Sequence, residues 1–328
     1  MAVAESVELQ RPTAAATPVR WRALRILVRK KIALAAIVYI LLFYSAGLFA
    51  PVLAPYGPND QPRPLTAEDR FGAPSWKHPF GQDALGRDLL SRVMYAARTT
   101  ILFTFIVIIT GGLVLGLGLG LLAGYRGGWI DTLVMRVGEV LSGIPTLILM
   151  LAITAAFRSR INDAAFSLAD NTPLSVTDAR TLVQFTILVG AAVPFAWVGS
   201  ARIVRGQALA IRESTYVEAA EALGASTSRI IFRHILPGVM PLFLVGLSAG
   251  MAGIALAEVS LSYLGLGIDP PTASFGTLIA DAGGSRAFQT WPHLLLAGAT
   301  PVVLFFLAWN LLGDALVDML EPRSSRMR

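Results

Sequence analysis

The residue types best suited to covalent or acid–base chemistry are few in this sequence. Cysteine is absent, which excludes disulfides, thiolate metal sites and cysteine nucleophiles. None of the three lysines follows a glycine, so the Gly-Lys of a nucleotide-binding P-loop is missing. The three histidines stand alone, without the spacing of metal ligands. The sequence therefore predicts a chain that is not an enzyme and holds no metal or cofactor of its own.

The most distinctive polar segment covers residues 204–236, which is too long for a simple connector. Thr215 and Glu218 have the spacing of a capping box, in which each side chain satisfies a backbone amide of the other residue. This pattern predicts a short helix that continues through Tyr216 to Leu223. Gly224 can then take the left-handed conformation that ends a helix.

A second short helix is predicted after this turn, and it would lead into an apolar run. Ser226 or Thr227 can cap its start, and Pro237 can begin the next helix at a first-turn position where its missing donor costs little. Ala219 and Ala220 give the first helix a smooth face that can lie close to a partner. An ordinary amphipathic loop at a membrane interface is the alternative.

Glu258 is a carboxylate within an otherwise apolar run. At about 1.5 Å per residue, it would lie roughly 30 Å along a helix that starts at Pro237. An ionisable residue in such a position is a candidate for substrate contact or for an outer gate. A hydrogen-bonded residue at the helix end is the structural alternative.

Another regular pattern is a ladder of glycines four residues apart, which allows a second backbone to approach closely. Its members are Gly112, Gly116, Gly120 and Gly124. The ladder predicts helix packing, either within the chain or between subunits.

The amino-acid composition indicates whether these helices lie in water or in a lipid bilayer. Of 328 residues, 55% are hydrophobic and 15% are charged, whereas soluble domains carry about 25% charged residues. The mean hydropathy of +0.63 also favours a bilayer. The net charge of +6 comes mainly from basic residues beside apolar runs, so we expect no nucleic-acid partner.

Six apolar runs have the length needed to cross a bilayer, which predicts an all-α integral membrane protein with six transmembrane helices. The runs cover residues 32–53, 99–123, 130–157, 182–203, 237–264 and 294–317. Residues 1–31 are polar and end in a basic cluster. The first apolar run exceeds the 7–15 residues typical of a signal peptide, so we expect it to be retained as a helix.

The distribution of arginine predicts the orientation. Positive charge is concentrated in the tails 1–31 and 318–328, the turn at residues 125–129 and the segment 204–236, so these parts should be cytoplasmic. The segments with balanced charge should lie outside the membrane on the other face. They are residues 54–98, 158–181 and 265–293.

Several of these segments resemble those of a known protein family. Glu218-Ala219-Ala220, three residues, Gly224 and then Ile235-Leu236-Pro237 are similar to the EAA loop, the coupling segment of bacterial ABC importer permeases. The resemblance runs from about residue 20 to 323 and favours the C-type permeases of dipeptide, oligopeptide and nickel importers. Further motifs that carry it are Phe80 to Arg92, Gly124 to Trp129, Leu261 to Gly267 with Pro270-Pro271, and Asn310 to Asp314.

The resemblance implies a type I ABC importer permease in the bacterial inner membrane, with a core of five helices at residues 99–317. A second homologous permease would complete the pore. Two cytoplasmic ATPases, which bind ATP and Mg, would hold the coupling segments, and an extracytoplasmic binding protein would deliver short peptides. Thr215, Tyr216, Glu218, Ala219, Ala220, Gly224 and Pro237 would then form the ATPase-coupling site.

The sequence also departs from the family pattern. Glu139 replaces the usual aspartate, and the segment 158–181 is longer than usual. A nickel or glutathione importer is the alternative within the family. A secondary transporter would need a membrane-embedded ion site, for which Glu258 is the candidate, and a membrane enzyme is opposed by the lack of clustered catalytic residues.

Overall fold

The computed structural model describes residues 30–283 and 285–320, which form helices joined by turns. Within these residues there is no β-strand, although an isolated bridge pairs Gln82 with Asp88. The helices are α1 (Lys31–Leu48), α2 (Ala50–Leu53), α3 (Leu89–Val107), α4 (Gly118–Arg126), α5 (Gly128–Ser142), α6 (Thr146–Phe157), α7 (Ile161–Asn171), α8 (Val176–Arg212), α9 (Thr215–Ala222), α10 (Thr227–Ile230), α11 (Leu236–Tyr263), α12 (Phe275–Asp281), α13 (Ser285–Thr290) and α14 (Pro292–Leu320). A wide π-helical segment joins α3 to α4, and a second one joins α10 to α11; they are Ile108–Leu117 and Ile231–Ile235.

Five of the described helical rods are long and apolar enough to cross a membrane. They are Lys31–Leu48, Leu89–Arg126, Val176–Arg212, Thr227–Tyr263 and Pro292–Met319. A sixth crossing exists if α5 and the segment from α6 to α7, which meet at an angle of 81°, form one broken span.

The prediction of a continuous helix over residues 130–157 is therefore wrong. Pro145 has extended backbone angles (φ −54°, ψ 118°), which a continuous helix does not allow. Its carbonyl instead accepts the amides of Ile148 and Leu149 at 2.9 and 3.3 Å and starts α6. Proline also disfavours the helical conformation of the residue before it, so Gly143 and Ile144 form the break.

Three rods are much longer than a bilayer is thick. They have 38, 37 and 37 residues, and each would measure about 55 Å, against about 30 Å of hydrocarbon. The first begins at Leu89, inside the predicted extramembrane segment 54–98, whereas the second ends at Arg212 and the third begins at Thr227, both inside the segment 204–236. The segment 158–181 is largely helical as well. An apolar run marks only the part of a helix that lies in lipid. The runs therefore did not predict these more polar extensions.

The first and last helices pack together along their length. Phe43 stacks on Phe305 with ring centroids 4.4 Å apart. At the opposite end of α1, the Lys30 ammonium pairs with the Asp318 carboxylate. The start of the first span and the end of the last one therefore lie at the same end of the bundle. Which membrane face this end occupies stays a prediction.

The glycine ladder contacts α8 of the same chain. A Cβ atom added to three of the glycines would meet side chains that are spaced four residues apart, at 2.5–2.7 Å: Gly116 with Ser200, Gly120 with Val204 and Gly124 with Ala208. Gly112 instead faces the Leu247 side chain of α11, at 2.8 Å. These distances are too short for a real Cβ atom, so the two rods touch through backbone. The contacts correspond to packing within the chain.

Candidate functional site

The short helix α9 begins one residue earlier than the capping box predicts. Ser214 is the N-cap, with extended backbone angles, and its carbonyl accepts the amides of Val217 and Glu218 at 3.0 and 3.1 Å. The Ser214 hydroxyl donates back to the Ile211 carbonyl at 2.5 Å. Thr215 therefore lies inside the helix, and the predicted capping box with Glu218 does not form.

Gly224 ends this helix in the left-handed conformation, with φ of 80°. The Ala225 amide donates to the Ala220 carbonyl at 3.0 Å, and the Gly224 amide donates to Glu221 at 2.9 Å, which is the Schellman pattern. A Cβ atom on Gly224 would meet nothing within 4 Å. Glycine is thus required here by backbone conformation and not by crowding.

A single buried side chain fixes α9 to the rest of the molecule. Val217 is fully buried, in a cluster with Ile230 and Val239. By contrast, Leu223 is 88% exposed and Tyr216 is 53% exposed. The helix is therefore anchored on the face that carries Val217, while the apolar side chains of Tyr216 and Leu223 remain exposed.

Pro237 lies in the first turn of α11, as the sequence predicts, but the helical rod that contains α11 begins ten residues earlier. The rod is helical from Thr227, after an N-cap at Ser226 whose hydroxyl accepts the Arg229 amide at 3.4 Å. The π-helical segment Ile231–Ile235 precedes the proline. A wider turn of this kind accommodates a residue without an amide donor in mid-helix. Pro237 therefore lies directly after the point where the rod changes from π-helical to α-helical winding.

Two arginines join the C-terminal part of α8 to the end of α4 and the first turn of α5. Arg205 forms a two-pronged ion pair with Asp131, in which the Nη2 to Oδ2 distance is 2.5 Å. Arg212 donates to the Tyr125 carbonyl at 2.8 Å and lies over the Tyr125 ring at 5.8 Å. Sequence reasoning counted these arginines only as topological charges. The Gly124 to Trp129 motif was the available signal for their partner.

Glu258 is enclosed within the chain. It is fully buried, and its carboxylate accepts hydrogen bonds from Thr100 at 2.8 Å and from Ser262 at 3.1 Å. The Ser262 hydroxyl also accepts the Ile268 amide at 3.1 Å. The side chain thus joins α3, α11 and the turn that follows α11. This geometry matches the structural alternative, because the side chain has no exposed surface and each carboxylate oxygen accepts a hydrogen bond within the chain.

A charged cluster at the same end was missed by sequence reasoning, although the Phe80 to Arg92 motif contains most of it. The Asp83 carboxylate accepts from Arg87 Nε at 2.7 Å and also pairs with Arg92, which is fully buried. Asp281 of α12 lies 3.6 Å from Arg92. This cluster fixes the segment before α3 to the segment after α11.

One further pattern has no catalytic geometry. Residues 246–250 read Gly-Leu-Ser-Ala-Gly, which matches the Gly-x-Ser-x-Gly motif of hydrolases. That motif acts at a sharp turn between a strand and a helix. Ser248 instead lies within α11, and its hydroxyl donates to the Val245 carbonyl at 2.7 Å. The serine is therefore a helix residue and not a nucleophile.

A cavity of about 420 Å³ lies where α6 begins after the broken span. Its walls are mostly apolar and come from four membrane helices, with Val107, Met150, Phe195 and Ile254 among the lining residues. The start of α6, which the break sets at an angle to α5, therefore forms one wall of this cavity.

Comparison with family models decides the identity. Residues 116–326 match the model described as a binding-protein-dependent transport system inner membrane component. The chain belongs to this permease family. Residues 20–71 of the permease also match the N-terminal transmembrane domain of oligopeptide transport permease C. The fold is thus that of a type I ABC importer permease, and the protein is a component of the inner membrane.

Relatives of similar length agree with this assignment. The permease is 33% identical to the glutathione transport system permease protein GsiD of Pectobacterium atrosepticum, over 92% of this chain and 91% of the relative. It is 32% identical to the oligopeptide transport system permease protein OppC of Mycobacterium bovis, with coverage of 92% and 94%. The dipeptide transport system permease protein DppC of Alkalihalophilus pseudofirmus is 31% identical, with coverage of 92% and 90%. The permease is therefore of the ABC peptide or glutathione type.

Proposed function

We propose that this permease forms one half of the translocation pathway of an ATP-driven importer of short peptides. A second, homologous permease completes the pathway, and an extracytoplasmic binding protein delivers the peptide. Two cytoplasmic ATPases bind ATP and Mg and move the permease. The observation that carries this proposal is α9, an eight-residue helix anchored by buried Val217 while Tyr216 and Leu223 remain exposed. Such a surface fits the groove of a partner subunit.

The contacts around α9 offer a route for its displacement. The Ser214 hydroxyl ties the start of α9 to Ile211 of α8, and Arg212 ties the end of α8 to the turn at Tyr125. The glycine ladder couples α8 to the rod Leu89–Arg126 through direct backbone contact. A rigid-body shift of α9 would therefore move two spans together, as in hinge or shear transitions between inward-open and outward-open packings.

Transport by the reconstituted complex tests the proposal. Proteoliposomes that contain both permeases and both ATPases, supplied with binding protein, should accumulate trialanine when ATP is present. Collapse of the proton gradient with an ionophore should leave uptake unchanged, whereas a secondary transporter would lose it. Failure to transport trialanine or any other short peptide under these conditions would refute the proposed function.

Glutathione import is the second candidate, favoured by the 33% identity to a glutathione permease. Competition separates the two candidates. Excess glutathione should leave trialanine uptake unchanged if the route serves ordinary peptides, and it should abolish uptake if glutathione is the preferred substrate. Uptake of nickel with no uptake of either compound would favour the remaining family alternative.

A further inference from the structure

A second cavity lies at the end of the bundle opposite α9. Its volume is about 550 Å³, within the range of about 300–1,000 Å³ that is typical of ligand pockets. Residues of α3, the first turns of α8 and the segment 268–273 form its walls. Leu102 and Phe185 provide apolar surface, whereas Arg98 and Asp178 bring opposite charges to the same space.

Arg98 lines this cavity without a partner in the part of the chain that the structure describes, unlike three other arginines at this end of the molecule. Arg92 pairs with Asp83, Arg180 lies 3.6 Å from Asp269, and Arg158 donates to a backbone carbonyl. The exposed Arg98 side chain has no ion pair or hydrogen bond among the described residues. An unpaired guanidinium that faced lipid would be costly, so this face of α3 must meet water or a polar ligand.

Asp178 supplies the opposite charge. Its Oδ2 atom accepts the Ser175 hydroxyl at 2.6 Å, and its Oδ1 atom has no partner among the described residues. Thr181 and Thr272 also line the cavity, where their hydroxyls are 2.8 Å apart. The cavity therefore combines a cation, an anion and hydroxyl groups with apolar walls.

We propose that this cavity is a vestibule that receives the substrate as a zwitterion, with its carboxylate on Arg98 and its ammonium group on Asp178. The inference rests on the proposed function and names the feature of the peptide that the permease recognises. Guanidinium pairs with carboxylate in a directional, two-pronged geometry, and apolar walls accept varied side chains. Both charges are exposed to solvent, which keeps binding weak enough for the peptide to pass on.

The experiment measures trialanine transported per ATP hydrolysed in the reconstituted complex, at saturating binding protein. Arg98→Gln should lower this ratio about tenfold, equivalent to about 1.4 kcal/mol. Arg98→Lys should restore most of it because the positive charge returns. Arg70→Gln is the matched control, since Arg70 is likewise an exposed arginine but lies in the segment before α3 and does not line the cavity. It should match wild type.

Three results would overturn the vestibule. The first is an Arg98→Gln ratio equal to that of Arg70→Gln. The second is an equal loss in Arg98→Gln and Arg98→Lys, which would indicate a packing role for the guanidinium. The third is a higher half-saturating concentration of binding protein with an unchanged ratio, which would assign Arg98 to docking of that protein. If wild type itself transports no peptide, the proposed function fails instead.

Discussion

Two buried carboxylates of the permease are held in different ways. Asp83 faces the arginines Arg87 and Arg92, whereas Glu258 accepts hydrogen bonds from the hydroxyls of Thr100 and Ser262. Removing the charge therefore has different consequences at the two positions, and each position allows a separate prediction.

Glu258→Gln should leave the complex close to wild type in stability, because the amide oxygen can accept from one of the two hydroxyls while the amide nitrogen donates to the other. Glu258→Leu should lower the free energy of unfolding by about 1–3 kcal/mol, since a buried hydroxyl then loses its acceptor. Thermal unfolding of the purified complex provides the measurement. Altered peptide selectivity in Glu258→Gln with unchanged stability would instead support a substrate contact.

Asp83→Asn should destabilise the permease strongly. It leaves the fully buried Arg92 without its main partner, and breaking a buried ion pair in this way costs about 3–5 kcal/mol. Arg136→Gln is the contrast, because its pair with Glu139 at 2.9 Å is exposed. Exposed pairs contribute little to stability. Equal thermal midpoints for Asp83→Asn and Arg136→Gln would contradict this account of the cluster.

The conformation and partners of a residue can be predicted from sequence only when neighbouring residues in the chain determine them. The left-handed conformation of Gly224 follows from the end of its own helix, and the structure has it. The N-cap was misplaced because Ser214 and Thr215 are both good caps, and the choice depends on the Ile211 carbonyl beside them. The partners of Arg205 and Arg212 lie on a different helix, so no local pattern could reveal them.

At the scale of elements, the turn after α9 gives a clean test of conformation. Gly224→Asn should couple nearly as well as wild type, because asparagine tolerates positive φ, whereas Gly224→Val should not. Space is no obstacle to either side chain, since a Cβ atom meets nothing within 4 Å. The measurement is the stimulation of ATP hydrolysis by loaded binding protein. Equal stimulation in both variants would show that the turn is an ordinary connector.

The glycine ladder gives a second test at this scale. Gly116→Leu or Gly120→Leu should reduce the yield of assembled complex, because a Cβ atom would already lie within 2.5–2.7 Å of α8 side chains. Overpacking of this kind costs about 1–3 kcal/mol or more. Gly118→Leu is the matched control, since a Cβ atom there meets nothing within 4 Å. Normal yield in Gly116→Leu would mean that the rods separate without loss.

The sequence predicted the number of membrane spans well, but it did not predict how far the helices extend beyond them. Apolar runs locate the part of each helix that lies in hydrocarbon, so the spans were found. The extensions of α3 and α8 are too polar to register in such runs, and they depend on contacts such as Arg205 with Asp131. The break near Pro145 was overlooked because the run 130–157 is apolar on both sides of the proline.

At the scale of the whole molecule, two of the long rods, Leu89–Arg126 and Val176–Arg212, connect the ends that the function must join. Each rod exceeds the thickness of the hydrocarbon, so the rod Leu89–Arg126 reaches from the segment 54–98 to the turn at Tyr125. The other rod reaches from the cavity near Asp178 to the start of α9. A displacement of α9 can thus act on the proposed vestibule without a flexible relay between them.

This arrangement requires α9 and the segment before α3 to lie on opposite faces of the membrane, with α9 in the cytoplasm. The natural chain has no cysteine, so single introduced cysteines give an unambiguous signal. Ala73→Cys, at an exposed position before α3, should react with an impermeant maleimide on intact spheroplasts. Ser228→Cys, at an exposed position beside α9, should react only after the membrane is opened. The reverse labelling would invert the topology and remove α9 from the reach of any cytoplasmic ATPase. Labelling of both positions on intact spheroplasts would mean that the two segments share one face, which contradicts the path of the long rods.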